Sequence, residues 1–188
     1  QDAANASVKV NGVTLSRSNN KIDDAITGVT PLEWLPKIAE MIAPLGWHIQ
    51  LWIKADRLLE IAPIVQRLPI DVVFDHLAQV PIDRGLSDPL VANVLTLMRS
   101  DHCWMKLIGY RVSNTKYPHP DIDVLCRSVI EIAPNRCLWG TDWPHIYLEG
   151  RPMPDAGKLF DALYRWCTPD QARAILVDNP AKRYGFTD

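Results

Sequence analysis

The 188-residue sequence has no apolar run near the ~20 residues needed to cross a bilayer, which leaves no candidate transmembrane helix. It also has little net charge: 20 basic against 22 acidic residues leave −2, so there is no basic footprint for nucleic acid or an acidic membrane surface. Cysteine is scarce. Cys103, Cys126, Cys137 and Cys167 are widely spaced, with no Cys-x-x-Cys pair, which argues against a disulfide framework and for a reducing, cytoplasmic setting. Cys103 and Cys137 fall in strand-like runs, where a thiol acts as a small buried hydrophobe. No Gly-x-Gly-x-x-Gly and no Gly-Lys-Ser/Thr follows a strand-like run, which lowers the weight of nucleotide-binding folds. The N-terminus has no signal-peptide pattern and no initiating Met, which suggests processing or a missing front portion.

What is present is ordinary for a globular protein with a core, 47% apolar and 22% charged residues. Without low-complexity segments or linkers, residues 1–188 are expected to form a single domain, with 1–9 disordered. A weak strand is expected over Val10–Ser16. Thr30-Pro-Leu-Glu33 is a helix start with Thr as cap, Pro at the first position and Glu at the third. Leu32, Leu35, Ile38, Met41 and Ile42 then give an apolar face, and Gly46 ends the helix. Continuous β-prone runs at 47–53, 70–76, 102–109 and 136–139 alternate with helical patterns at 55–67, 88–99, 121–132 and 155–166. Pro63 is expected to kink or divide the first of these helices. Thr168-Pro-Asp-Gln171 repeats the capping signature for a last helix, with a break at Asp178-Asn-Pro180. Strands this apolar, each followed by a helix, imply parallel pairing through right-handed crossovers, either doubly wound or as a (β/α) barrel.

In such folds the carboxyl ends of the strands gather the chemistry. The groups delivered there are Gln50 and Trp52, Asp75 and His76, Lys106 with Tyr110 and Arg111, and Asp142 with His145. A carboxylate and two imidazoles around one pocket suit general acid–base hydrolysis, or a divalent metal. Alternation lets one of Asp75 and His76 face a barrel interior, and the expectation is His76 inward with Asp75 packed outward. Lys106 is expected to be buried or snorkelling, His48 to be a core histidine, and His102 and His119 to lie at the surface.

Trp139-Gly-Thr-Asp-Trp-Pro-His145, Val73-Phe-Asp-His76, Trp104-Met-Lys-Leu107 and Asp178-Asn-Pro-Ala-Lys-Arg-Tyr184 together resemble the amidohydrolase superfamily, in its lactonase-like branch. The match runs from about residue 10 to 186. The resemblance implies a (β/α)8 TIM-barrel-type fold, apparently partial, with about the last five βα units. It also implies Asp142 as general base for water and His76 at the scissile carbonyl or a metal. His145, Arg111, Trp52, Gln50 and Tyr110 would line the substrate site. If a metal is bound, zinc or manganese, Asp142 and His76 are the candidate ligands; some members of the branch work without one.

Two departures stand out. The His-x-His pair of the family's first strand is absent, and Thr14 and Gln79 stand where dicarboxylate-specific members carry arginine. Only Arg111 keeps that pattern, which shifts the expectation to a more neutral lactone. The resulting expectation is a hydrolase opening a lactone C–O bond of a small-molecule substrate. A decarboxylase of the same superfamily and an inactive, ligand-binding or self-associating fragment are the alternatives. Open sheet edges would favour a homo-oligomer or a missing N-terminal segment.

Overall fold

The computed structural model describes residues 6–10, 13–17, 31–146, 148 and 150–186. Strands β1 (Ala6–Val10) and β2 (Val13–Arg17) pair antiparallel in a hairpin of their own. The sequence reading has disorder to residue 9 and a single strand from Val10; Asn11-Gly12, a strong hairpin-turn dipeptide, is the signal that reading passes over. The expectation for residues 1–5 and the Thr30 cap lie outside the described residues.

Strands β3 (Ile49–Leu51), β4 (Val72–Phe74), β5 (Cys103–Lys106) and β6 (Cys137–Leu138) form a parallel sheet in chain order. Helices α1 (Pro31–Ile42), α2 (Ala55–Val65), α3 (Pro89–Leu97), α4 (Asp123–Ile132) and α5 (Ala156–Leu163) alternate with them. Four parallel strands, not five, carry the βα rhythm among the described residues, because the expected first strand pairs with its own neighbour instead. Pro63 lies within α2, which continues to Val65 undivided. The expected face of α1 is only partly buried: Leu35 and Ala39 are inside, whereas Ile38 and Met41 are exposed.

Side-chain alternation splits the sheet into two faces. Val72, Phe74, Cys103, Met105 and Cys137 join the main core with Leu58, Val65, Val94, Leu97, Leu125 and Val129 of the helices. Val73, Trp104 and Leu138 form a separate buried cluster on the opposite face, the interior side of a barrel. Burial pushes the Cys103 and Cys137 thiols up to about 12, so both are inert packing groups.

The chain closes through α6 (Pro169–Arg173), a π-helical turn (Ala174–Asp178) and α7 (Asn179–Tyr184). Thr168 and Gln171 make the capping box read from sequence. The break expected at Asp178-Asn-Pro180 is absent; the wide π turn leads directly into α7, which carries Pro180 near its start.

Candidate active site

The end of β6 runs through Trp139-Gly140-Thr141 to Asp142, whose φ of 61° is left-handed. Asp142 Oδ2 accepts a 2.6 Å hydrogen bond from the Tyr110 hydroxyl and a short charge-assisted one from Arg111 Nε. Both donors come from the segment after β5, so two adjacent strand ends fix one carboxylate. Arg111 Nη2 also donates to the Ile146 carbonyl at 2.9 Å, tying the loop after β6 to the same guanidinium.

His145 is 4% exposed. Its Nδ1 lies 3.3 Å from the Tyr110 hydroxyl, and the two rings meet edge to face. Burial and the Asp142 contact push the Tyr110 hydroxyl well above its ordinary range, so it stays protonated and serves as a donor. The other carboxylate oxygen, Asp142 Oδ1, faces His76 Nε2 at 3.9 Å, beyond hydrogen-bond reach.

His76 opens a run of four non-glycine residues, His76 to Gln79, all at positive φ between 47° and 53°. This left-handed turn swings the imidazole from the end of β4 towards Asp142. Burial lowers the His76 pKa; Asp142 and Asp75 oppose the shift, while Arg111 and Lys106 add to it. The imidazole is therefore neutral at neutral pH. Among the described residues its buried Nδ1 has no hydrogen-bond partner. Trp52 stands beside it, 61% exposed, with its ring edge to face at 6.3 Å.

Asp75 corrects the sequence reading. It lies two residues beyond Val73 and so shares the interior face, and it is 7% exposed. Gln50 Nε2 donates to it at 2.7 Å, and Lys106 Nζ lies 3.1 Å from its other oxygen and 2.6 Å from Gln50 Oε1. The ends of β3, β4 and β5 thus carry a neutralised Gln–Asp–Lys triangle beside the Asp142 group. His76 reaches the site as well, because the left-handed turn overrides strict alternation. Of the expected site residues, Asp142, His76, His145, Arg111 and Tyr110 converge, Trp52 flanks His76, and Gln50 belongs to the triangle. Residue parity with Val73 and Trp104 was the available signal for Asp75 and Lys106.

His102 and His119 are not free surface groups: His102 Nε2 lies 2.9 Å from the Val65 carbonyl, and His119 Nδ1 lies 3.0 Å from Ser113 Oγ. His48 is half-buried against Tyr184. As a metal site the donor set is poor. His76 and Asp142 are two donors with a guanidinium on the same carboxylate, and no group of three or more His, Cys, Asp or Glu able to hold an ion occurs among the described residues. Among those residues no helix is long and apolar enough to cross a membrane.

The sequence pattern of the amidohydrolase family matches residues 11–186. The chain is 32% identical over 152 residues to a 4-sulfomuconolactone hydrolase of Hydrogenophaga intermedia, covering 79% of this chain and 50% of that protein. It is 34% identical over 166 residues to a 2-pyrone-4,6-dicarboxylate hydrolase of Comamonas testosteroni, covering 82% and 54%. An Agrobacterium tumefaciens protein solved in its apo form superposes with a TM-score of 0.73 at 26% identity, over 85% of this chain and 58% of that one. The chain spans about half the length of the curated relatives it matches.

Proposed function

Because this chain belongs to the amidohydrolase family, we propose that its strand-end site hydrolyses a lactone, with Asp142 as the general base. The observation that carries the reading is the asymmetry of the Asp142 carboxylate. Oδ2 is held by Tyr110 and Arg111, and Oδ1 is turned towards His76. A base held by one oxygen keeps its orientation while the other takes a proton.

In this reading Asp142 Oδ1 removes a proton from water as the water oxygen bonds to the lactone carbonyl carbon. The carbonyl π electrons move onto oxygen, where polar groups around the pocket stabilise the oxyanion. Collapse restores the carbonyl and breaks the ring C–O bond. The proton on Asp142 passes to the departing ring oxygen, giving a hydroxy acid. Neutral His76 stands across from Oδ1, where it can orient the water or the carbonyl, while Tyr110, with His145 against it, holds Oδ2. No step is routed through a metal, which these residues do not fit. The relatives named for hydrolysis of a sulfomuconolactone and a pyrone dicarboxylate support the lactone class.

Asp142→Asn tests the reading. Asparagine tolerates left-handed backbone and keeps the shape, so the fold should survive by circular dichroism. Lactone turnover should fall by about 10²–10⁴-fold, the usual scale of a lost general base. Turnover within a few-fold of the parent would remove Asp142 as the base.

A further inference from the structure

A cavity of about 700 Å³ opens beside the Asp142 site, between the loop after β5 and the loop after β6. Its walls bring together three cations, Lys116, Arg151 and Lys158. Among the described residues no carboxylate lies within ion-pair distance of any of the three. Among the described residues the one acid in the lining is Asp155, whose Oδ1 caps α5 by accepting from the Lys158 backbone N–H at 3.1 Å.

The walls are braced. Asp121 accepts from Ser113 Oγ at 2.7 Å, from the Asn114 N–H at 2.7 Å and from Thr115 Oγ1 at 2.8 Å, which knots the loop that carries Lys116. Lys158 Nζ sits over the Tyr117 ring, 5.3 Å from its centroid, so an aromatic face lies next to the cation. The cavity is also joined to the catalytic group. Tyr110 lines it and donates to Asp142, and Arg151 Nη1 donates to the Arg111 carbonyl at 3.4 Å.

We propose that this groove is an anion subsite that holds a carboxylate or sulfonate borne by the substrate away from the lactone ring, through Lys116, Arg151 and Lys158. The proposal rests on the lactone reading for its place in catalysis, but the anion site stands on its own geometry. It also revises the expectation of a neutral lactone. That expectation counted arginines at family positions, whereas the charge here comes from Lys116 and Arg151 on the loops and Lys158 in the first turn of α5. Cations that find no carboxylate among the described residues can donate charge-assisted hydrogen bonds to a bound acid.

The test is equilibrium titration of the full chain with benzenesulfonate, benzoate and the uncharged benzamide. Both anions should bind saturably, and benzamide at least about tenfold more weakly. The double variant Lys116→Gln/Lys158→Gln should lose tenfold or more of benzenesulfonate affinity with an unchanged circular dichroism spectrum, and Arg151→Gln should weaken it in the same direction. Asp142→Asn should bind benzenesulfonate as the parent does. Equal binding of benzamide, absence of saturable binding, or parental affinity in the lysine variant would overturn the subsite. So would affinity lost on Arg111→Gln but not on the lysine changes, which would put the anion at the Asp142 site. Anion binding that persists in a protein without lactone turnover would sink the hydrolase reading and leave the subsite intact.

Discussion

Asp142, His145 and His76 all adopt left-handed backbone, with φ of 61°, 58° and 50°. For non-glycine residues each such conformation costs about 1–3 kcal/mol, and the surrounding contacts hold it: Tyr110 and Arg111 on Asp142, Tyr110 on His145, and Trp52 beside His76. Strain held by neighbours aims side chains that an unstrained strand end would point elsewhere. The burial that this brings His76 also sets its charge state. Its folded pKa lies below the ordinary 6.5, first because of burial. As pH falls below about 6.5 the unfolded chain takes a proton at this position and the folded chain does not. Stability is therefore lost as pH drops through that range down to the folded pKa, and above about 6.5 the group contributes nothing. His48, lowered by burial and by Arg183, adds a slope of the same sign. Melting temperatures followed from about pH 8 to pH 5 should fall less steeply for His76→Asn and for His48→Gln than for the parent, and least for the double variant. A parental slope in His76→Asn would mean that His76 titrates normally in the fold.

The elements place these residues through close approaches as well as hydrogen bonds. Gly109 follows β5 immediately before Tyr110 and Arg111. A Cβ built there would lie 2.1 Å from Ile122 Cδ1, and Ile122 is 1% exposed in the short helical turn that leads into α4. Gly109→Ala should cost about 1–3 kcal/mol, the range for overpacking a filled core, by urea denaturation. Gly109→Ala/Ile122→Val should recover part of the loss; equal stability of Gly109→Ala and the parent would show that the turn yields freely. Much at this scale was legible beforehand. The four βα repeats, the Thr168 capping box and the convergence of Asp142, Tyr110, Arg111 and His145 follow from apolar runs and their end residues. Other features were not. The left-handed turn His76–Gln79 contains no glycine to signal it, because it is set by tertiary contacts around the buried Leu77 and Ala78. Asp75 was misplaced because its partners Gln50 and Lys106 lie on neighbouring strands, 25 and 31 positions away, and only the register brings them together.

At the scale of the whole molecule, the C-terminal segment is what locks the strand that leads to Asp142. Asn179, 4% exposed at the start of α7, donates through Nδ2 to the Pro134 carbonyl and to the Cys137 carbonyl, both at 2.8 Å. One amide thus satisfies two backbone acceptors where β6 begins, across more than forty residues of chain. At the opposite end of α4, Asp123 makes a comparable clasp on Arg165 and Trp166, joining α4 to the segment after α5. Asn179→Ala leaves both carbonyls unpaired in a dry site, where each lost partner costs about 1–3 kcal/mol; a loss of about 2–4 kcal/mol in urea denaturation is expected. Asn179→Asp separates hydrogen bonding from packing. A carboxylate has the same shape but, when ionised, nothing to donate, and it would face two carbonyl oxygens. At neutral pH it should therefore be less stable than Asn179→Ala despite filling the space. Acidification should narrow that gap, because a protonated carboxyl regains one donor. If Asn179→Asp is the more stable of the two at neutral pH, the side chain serves to fill volume and the tie to β6 is incidental.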